Sequence, residues 1–178
     1  QIRYTLFSGN SDDIKERIEH GLLDLGLLLE PVDFSKYEIL RLPVKERWGV
    51  LAPAGTPLAA KESVTPQDLA GMPVIMTTRE LMQREMIRWL GPCADQIQVQ
   101  ASGNLPYNLA QLARKQVGVF LNIEQDCAYT GLQFVPLSPP LQSGTVLAWK
   151  KAAPASAAIT ALLLFAQEYI NRITAHPV

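Results

Sequence analysis

Apolar and polar residues alternate with two different periods along the first part of the chain. Residues 1–7 alternate, with Ile2, Tyr4 and Leu6 against Arg3 and Thr5, which predicts a strand that ends in the polar turn at residues 8–11. From Ser11 onward apolar residues recur every four positions, which predicts an amphipathic helix. Residues 22–29 are almost continuously apolar, the pattern of a strand buried on both faces of a parallel sheet. The chain is therefore predicted to open with a strand, a helix and a second strand.

The next stretch predicts two strands and a short helix. Residues 37–43 and 47–53 have strand character, and the charged pair Lys45-Glu46 between them is interpreted as a turn. In the segment 65–68 a threonine precedes a proline, and an acid stands three residues after the threonine. This is the arrangement of a capped helix that begins at Pro66.

A second series of alternating elements follows. In chain order it predicts a strand at 72–76, a capping box at 77–80 that opens a helix, a strand at 97–101, a turn at 102–104 with a helix after it, a strand at 117–121, a short helix capped by Asn122, a strand at 134–137, a strand at 145–149 and a terminal helix around 159–170. Strands that alternate with helices predict an α/β fold with largely parallel sheets.

Composition narrows the class of protein. Sixteen Lys and Arg against seventeen Asp and Glu give a net charge of -1, and no dense basic stripe is present, so this segment is not expected to hold DNA itself. The most apolar stretch, residues 157–166, is far shorter than the about 20 residues that span a bilayer, so no membrane helix is expected. Residues 1–7 lack the features of a secretory signal and do not begin with Met, which predicts a cytoplasmic fragment of a longer protein.

The residues that commonly carry chemistry are sparse. Cys93 and Cys127 have no metal-ligand spacing and are expected to be reduced thiols. His20 and His176 each stand apart from other metal-ligating residues. Motifs of activated nucleophiles, phosphate loops and dinucleotide-binding loops are absent from the sequence. The expectation is a protein without catalytic residues, metal or cofactor.

Small polar turns in front of helices are the candidate ligand contacts. In open α/β sheets ligands lie beyond the carboxyl ends of strands, where helix N-termini offer free N–H groups and a positive dipole. Such turns suit a carboxylate or another polar ligand without a metal, although the same residue types also serve as plain helix caps. The candidate residues are Asn10, Ser11, Thr77, Thr78, Ser102, Gly103, Asn104 and Asn122.

Three segments together resemble the effector-binding domain of LysR-type transcription regulators. They are Gly21 to Leu27, Trp48 to Ala59 and Gln116 to Leu121, and the resemblance covers nearly the whole chain. The last segment departs from the family pattern, since Gln116 replaces a usual Gly and Asn122 stands at or beside a usual Pro.

The resemblance implies a type 2 periplasmic-binding-protein fold with two lobes. Lobe one would comprise residues 1–71 and 141–178, and lobe two residues 72–140, with a hinged cleft that closes on a small anionic or polar effector. The family's first strand and helix, and the helix-turn-helix that binds DNA, would lie upstream. The full-length protein would be a homodimer or tetramer, and Asn10 or Ser11 would contact the effector.

Two other functions share this fold and stay open at the level of sequence. One is a solute-binding protein that delivers a small metabolite to a transporter. The other is an α/β enzyme such as a prephenate-dehydratase-like catalytic domain. An upstream helix-turn-helix, an upstream signal peptide or measurable turnover would distinguish the three.

Overall fold

Strands and helices alternate along the chain in the computed structural model, which describes residues 3–151 and 156–175. The helices are α1 (Ser11–Glu19), α2 (Pro66–Leu69), α3 (Glu80–Leu90), α4 (Pro106–Arg114) and α5 (Ala157–Ala175), with a 3-10 helix at Gly91–Gln96. The strands are β1 (Gly26–Leu29), β2 (Tyr37–Pro53), β3 (Pro73–Thr77), β4 (Gln98–Gly103), β5 (Val119–Ile123), β6 (Leu132–Pro136) and β7 (Gln142–Lys150). The α/β class predicted from the sequence is confirmed.

The chain folds into two units. Unit 1 comprises Gln1–Lys45 and Gly144–Val178, and unit 2 comprises Glu46–Ser143. The chain therefore passes from unit 1 to unit 2 within β2 and returns within β7. The sequence-based limits of the two lobes, near residues 71 and 140, stay a prediction, while the packing groups residues 46–71 with unit 2.

In unit 1 the apolar stripe of α1 covers a small core. Ile14 and Ile18 are buried, as their spacing of four residues predicts, and they pack with Leu28 of β1 and Tyr37 of β2. Gly26 permits this close packing, because a Cβ atom there would lie 2.6 Å from Cγ2 of Ile14. β1 pairs antiparallel with β7.

In unit 2 parallel strands form the centre of the sheet. β3 pairs parallel with β4 on one side and with β5 on the other, and β2 pairs antiparallel with β5 and β6. The side chains of Val74 and Ile75 in β3 are fully buried. Leu109 and Ala113 of α4 pack against Ile75 in the same core. The sheet of this unit is therefore mixed rather than largely parallel, because the long strand β2 runs opposite to its neighbours.

Two expectations for the N-terminal part are wrong. Residues 3–7 form no strand, and Tyr4 and Leu6 are 82% and 84% exposed, so their alternation has no neighbouring strand to pair with. Gln1 and Ile2 lie outside the described residues. β1 is shorter than residues 22–29 and is not buried on both faces, since Leu27 is 55% exposed and the pairing with β7 is antiparallel.

Two expectations further along are also wrong. Lys45 and Glu46 do not form a turn, because β2 continues through them as one strand of 17 residues. Neither residue is a turn former, and Lys45 is exposed while Glu46 is half-buried where the chain leaves unit 1. Asn122 does not cap a helix, because it lies within β5 and residues 124–131 contain no helix.

The helix expected at Pro66 is confirmed. α2 begins at that residue, and the backbone N–H of Thr65 donates to the Asp68 carboxylate at 2.9 Å, as a capping box requires. Among the described residues no helix combines the length and the apolar character that crossing a membrane needs.

Candidate ligand-binding site

Three neighbouring strand ends bring most of the predicted site residues of unit 2 to one edge of the sheet. β3 and β4 are parallel, and Thr77 is paired in register with Gly103. β3 and β5 are also parallel, with Ile75 level with Phe120. Continuing that register by two residues brings Asn122 level with Thr77. The carboxyl ends of parallel strands are where open α/β sheets bind ligands.

The turn after β3 is held by one backbone and two side-chain hydrogen bonds, and none of them is a side-chain cap of α3. The backbone N–H of Thr78 donates to the Gly103 carbonyl at 3.0 Å, which ties the two turns together. The Thr77 hydroxyl accepts from the N–H of Arg79 at 3.2 Å, and the Gln83 amide donates to the Thr77 carbonyl at 2.8 Å. The capping box predicted at residues 77–80 is therefore wrong. The N-cap of α3 is Arg79, and no side chain caps it.

The turn after β4 presents a second helix N-terminus of the same kind. α4 begins at Pro106, and its N-cap Leu105 provides no side-chain hydrogen bond. Ser102 and Asn104 are exposed. A Cβ atom on Gly103 would lie 2.9 Å from Leu109, so a glycine here lets α4 approach the strand end closely. Helix starts bind anions through free N–H groups, but here Pro106 has no N–H and the N–H of Asn108 donates to the Leu105 carbonyl at 3.1 Å.

Arg79 is a residue of this edge that sequence reasoning missed. It follows the two threonines directly and is 7% exposed. Burial of an arginine is uncommon, because the charged group loses hydration unless it is compensated. Its signal in the sequence is a single positive charge inside a small polar turn, at a position that the capping-box pattern of residues 77–80 includes. Arg79 therefore places a buried guanidinium at the start of α3, and Glu80 follows it in the first turn of the helix.

Asn122 belongs to a polar group at the end of β5. It is 6% exposed, and its side-chain amide donates to the carbonyl oxygen of the Gln125 side chain at 3.4 Å. The Tyr129 hydroxyl donates to the same oxygen at 2.5 Å. Burial, followed by the neighbouring Cys127, raises the pKa of Tyr129. Asn122 is thus held by a side chain of the following loop.

The predicted contact in unit 1 is built differently. The Asn10 side-chain oxygen accepts from the backbone N–H groups of Asp12 and Asp13, each at 2.9 Å, so Asn10 is the N-cap of α1. Ser11 is 6% exposed. The two aspartates place negative charge in the first turn of the helix. For all eight predicted residues, contact with a ligand stays a prediction.

Metal ligation was not expected from the sequence. Within residues 3–151 and 156–175, no three side chains of His, Cys, Asp and Glu are grouped closely enough to hold a metal ion. Cys93 is buried and Cys127 is exposed, both as free thiols. His176 lies outside the described residues.

Several solved structures have the fold of this chain. HinK, a LysR family transcriptional regulator from Pseudomonas aeruginosa, is 21% identical with a TM-score of 0.75 over 92% of this chain and 59% of HinK. The effector-binding domain of QuiR, in complex with shikimate, is 20% identical with a TM-score of 0.81 over 94% of this chain and 81% of that domain. The Synechocystis PCC6803 CcmR regulatory domain, in complex with 2-PG, is 16% identical with a TM-score of 0.73 over 90% and 80%.

The extent of these matches differs between whole regulators and isolated domains. The chain spans 57% of another Pseudomonas aeruginosa regulator of the LysR family and 59% of HinK. None of the curated protein sequences matches this chain. The family model described as the LysR substrate binding domain matches residues 1–171. This chain belongs to the LysR substrate-binding domain family.

Proposed function

We propose that this chain is the effector-binding domain of a LysR-type transcription regulator and that it binds a small anionic or polar metabolite. The observation that carries the proposal is the edge of the sheet in unit 2. There the ends of β3, β4 and β5, the uncapped starts of α3 and α4, and the buried Arg79 lie together.

The chemistry of this edge favours an anion. A helix N-terminus carries about half a positive charge and offers N–H donors, and an anion there gains roughly 0.3–1 kcal/mol from the dipole alone. Hydrogen bonds between a guanidinium and a carboxylate are stronger than neutral ones. The hydroxyls of Thr77 and Thr78 and the Asn122 amide add neutral contacts that select the shape of the ligand.

The relatives support this choice of ligand class. The effector-binding domain of QuiR is in complex with shikimate, and the CcmR regulatory domain is in complex with 2-PG. Both structures share the fold of this chain at identities of 20% and 16%. Because such identities carry the fold and not the pocket, shikimate and 2-PG serve here as first probes.

The proposal extends to the whole protein. Full-length CbnR is complexed with its target DNA, and the present chain aligns with 57% of CbnR. We expect a DNA-binding helix-turn-helix in the rest of the protein, a homodimeric or tetrameric assembly and a cytoplasmic location. The role of the domain is then regulatory rather than catalytic, and the effector acts by binding one conformation more tightly than another.

The test begins with thermal unfolding of the 178-residue chain in the presence of small carboxylates and phosphates, shikimate and 2-PG included. An anion that binds the folded state raises Tm as its concentration exceeds Kd. Calorimetric titration of any such anion then compares wild type with Thr77→Ala, which we expect to bind about tenfold more weakly. Thr160→Ala in α5 is the matched control and should bind normally.

Two results would contradict the proposal. One is that none of the tested carboxylates and phosphates raises the Tm of the chain. The other is an anion whose affinity falls equally in Thr77→Ala and Thr160→Ala. In the full-length protein, Ser11→Ala and Thr77→Ala are expected to weaken the response to effector while leaving DNA binding intact, and unchanged titration curves would refute this part.

A further inference from the structure

A cavity lies in unit 2 at the ends of the parallel strands that are opposite the candidate anion site. It has a volume of about 460 Å³ and opens where the starts of β3 and β5 meet the end of β2. Most of its lining is apolar, and the side chains that matter here are Pro53, Leu58, Met72, Pro73, Gln116 and Val119. Its volume lies in the range of small-molecule sites. None of the predicted effector contacts lines it.

The charges at the cavity neutralise each other. Lys61 and Asp68 both line it, and the Lys61 ammonium lies 3.0 Å from a carboxylate oxygen of Asp68. Asp68 also accepts from the backbone N–H of Thr65 at 2.9 Å. This hydrogen bond, followed by the Lys61 contact, lowers the pKa of Asp68. A charged ligand would lose its hydration here and find no free opposite charge to pair with, because Lys61 and Asp68 already pair with each other.

Gln116 stands at the rim in a backbone conformation that disfavours it. Its φ angle is 62°, in the left-handed region where glycine is usual. The N–H of Gln116 donates to Ala113 at 2.9 Å and the N–H of Val117 donates to Leu112 at 3.1 Å, the two bonds that end a helix in a Schellman motif. A glycine would end α4 without strain. The strain is instead present at an exposed residue that lines the cavity.

We propose that this cavity binds an uncharged, mostly apolar small molecule with one neutral hydrogen-bonding group that meets the Gln116 amide. A planar aromatic heterocycle with a single N–H belongs to this class. The apolar body would cover Leu58, Met72 and Val119. The carbonyl oxygen of the Gln116 side chain would accept a hydrogen bond from the N–H of the ligand. This site differs from the anion site in both position and ligand chemistry, so either can fail without the other.

The probes are indole and indole-3-carboxylate, which share a ring system and differ by one negative charge. Titration of the 15N-labelled 178-residue chain with each probe, followed by amide chemical shifts, locates and measures binding. Indole should shift the amides of residues 56, 58–61 and 116–119. Indole-3-carboxylate should bind there at least tenfold more weakly. Shifts confined to other residues, or equal affinities for the two probes at this cavity, would overturn the proposal.

Gln116→Gly separates a binding role from a structural one, because the substitution should raise Tm and at the same time lower the affinity for indole. Relief of the left-handed strain should raise Tm by about 1–4 °C. Loss of the amide should weaken indole binding about threefold, the usual range of one neutral hydrogen bond. A variant that is more stable and binds indole as wild type does would contradict the role of Gln116.

A charge placed in the lining gives the stronger effect. Met72 is half-buried at the cavity, and Met72→Glu should weaken indole binding at least tenfold by burying a carboxylate beside the ring. Gln133→Glu places the same charge on an exposed residue of β6 outside the lining, and it should bind indole normally. Equal affinities of these two variants would argue against the cavity as the site, and the shift map of the wild-type chain decides the question if Met72→Glu does not fold.

Discussion

The turns that open α1 and α3 contain similar small polar residues and treat their helix N-termini in opposite ways. At α1, the Asn10 side chain accepts from two backbone N–H groups, and Asp12 and Asp13 follow. At α3, no side chain caps the helix, and the N-cap residue Arg79 is buried. The turn at α1 caps its helix with its own side chain. The turn at α3 provides no side-chain cap and places the buried Arg79 at the helix start, with Glu80 after it.

This difference predicts where an anionic effector gains its binding energy. An anion near α1 would meet two carboxylates, of which Asp12 forms an ion pair with Lys15 at 3.2 Å. An anion near α3 would meet the positive end of the dipole and a guanidinium. We therefore expect the turn of unit 2 to dominate affinity and the turn of unit 1 to contribute stability and shape.

The largest expected effect follows from removing the cation. Arg79→Met keeps an unbranched side chain of similar length and removes the charge. It should weaken binding of an anionic effector about 10- to 100-fold, because a hydrogen bond to a charged group contributes roughly 1.5–3 kcal/mol. Isothermal titration calorimetry with the effector, at low and moderate salt, measures this loss.

Arg84→Met in the same helix is the matched control. Arg84 is 64% exposed in its side chain and pairs with Glu80, so its removal should change affinity by less than about twofold. Equal losses in the two variants would mean that general charge, and not the buried position, attracts the ligand. If Arg79→Met keeps full affinity, the turn at α3 does not owe its affinity for the anion to Arg79.

The fold was predictable where burial follows local periodicity. Ile14 and Ile18 face the core as their spacing of four residues indicated, and α2 begins at Pro66 because its cap is a local motif. The strand expected at residues 1–7 failed since a strand needs a neighbour, which alternation alone does not supply. The unbroken course of β2 through Lys45 and Glu46 likewise depends on pairing with distant segments.

The candidate site was predictable in its location and less so in its roles. The α/β pattern places Thr77, Gly103 and Asn122 at strand ends, and the structure brings the first two into register. Whether a polar side chain caps its helix depends on rotamers and backbone angles that the sequence does not show. Asn10 caps its helix and Thr77 does not, although both precede helices.

A smaller effect comes from removing the cap of α1. Asn10→Ala should lower the free energy of unfolding by about 1 kcal/mol, the usual contribution of an N-cap, because two backbone N–H groups lose their acceptor. Effector affinity should change by less than about threefold. Thr77→Ala should weaken effector binding more than Asn10→Ala does and should lower the free energy of unfolding less. Urea unfolding and calorimetry on both variants measure the two quantities, and a larger affinity loss in Asn10→Ala would reverse the comparison.

A still smaller effect concerns the acids in the first turn of α1. Asp13→Asn removes a charge that interacts favourably with the helix dipole, so the free energy of unfolding should fall by roughly 0.3–1 kcal/mol at low salt. The loss should shrink in high salt, where such interactions are screened. Glu16→Gln, further along the same helix, is the control. A loss that does not depend on salt would assign the effect of Asp13 to packing rather than to charge.

The smallest effect at neutral pH concerns the other end of α1, where Tyr37 packs beneath the helix. Its hydroxyl donates to the Lys15 carbonyl at 3.5 Å, and burial, followed by the neighbouring Glu19, raises the pKa of Tyr37 to about 12. The folded state therefore holds this proton more tightly than the unfolded chain, whose tyrosines have a pKa of about 10. The stability that the neutral phenol contributes is complete below pH 10 and is lost as the pH rises from 10 toward 12. Tyr37→Phe should change stability little at pH 8 and should flatten the fall in the free energy of unfolding between pH 10 and 11, as measured by urea unfolding.

Tyr107→Phe, at an exposed site in unit 2, is the control and should leave this fall in the free energy of unfolding as it is in the wild type. The same dependence on pH in both variants would show that Tyr37 does not anchor α1 through its protonated form.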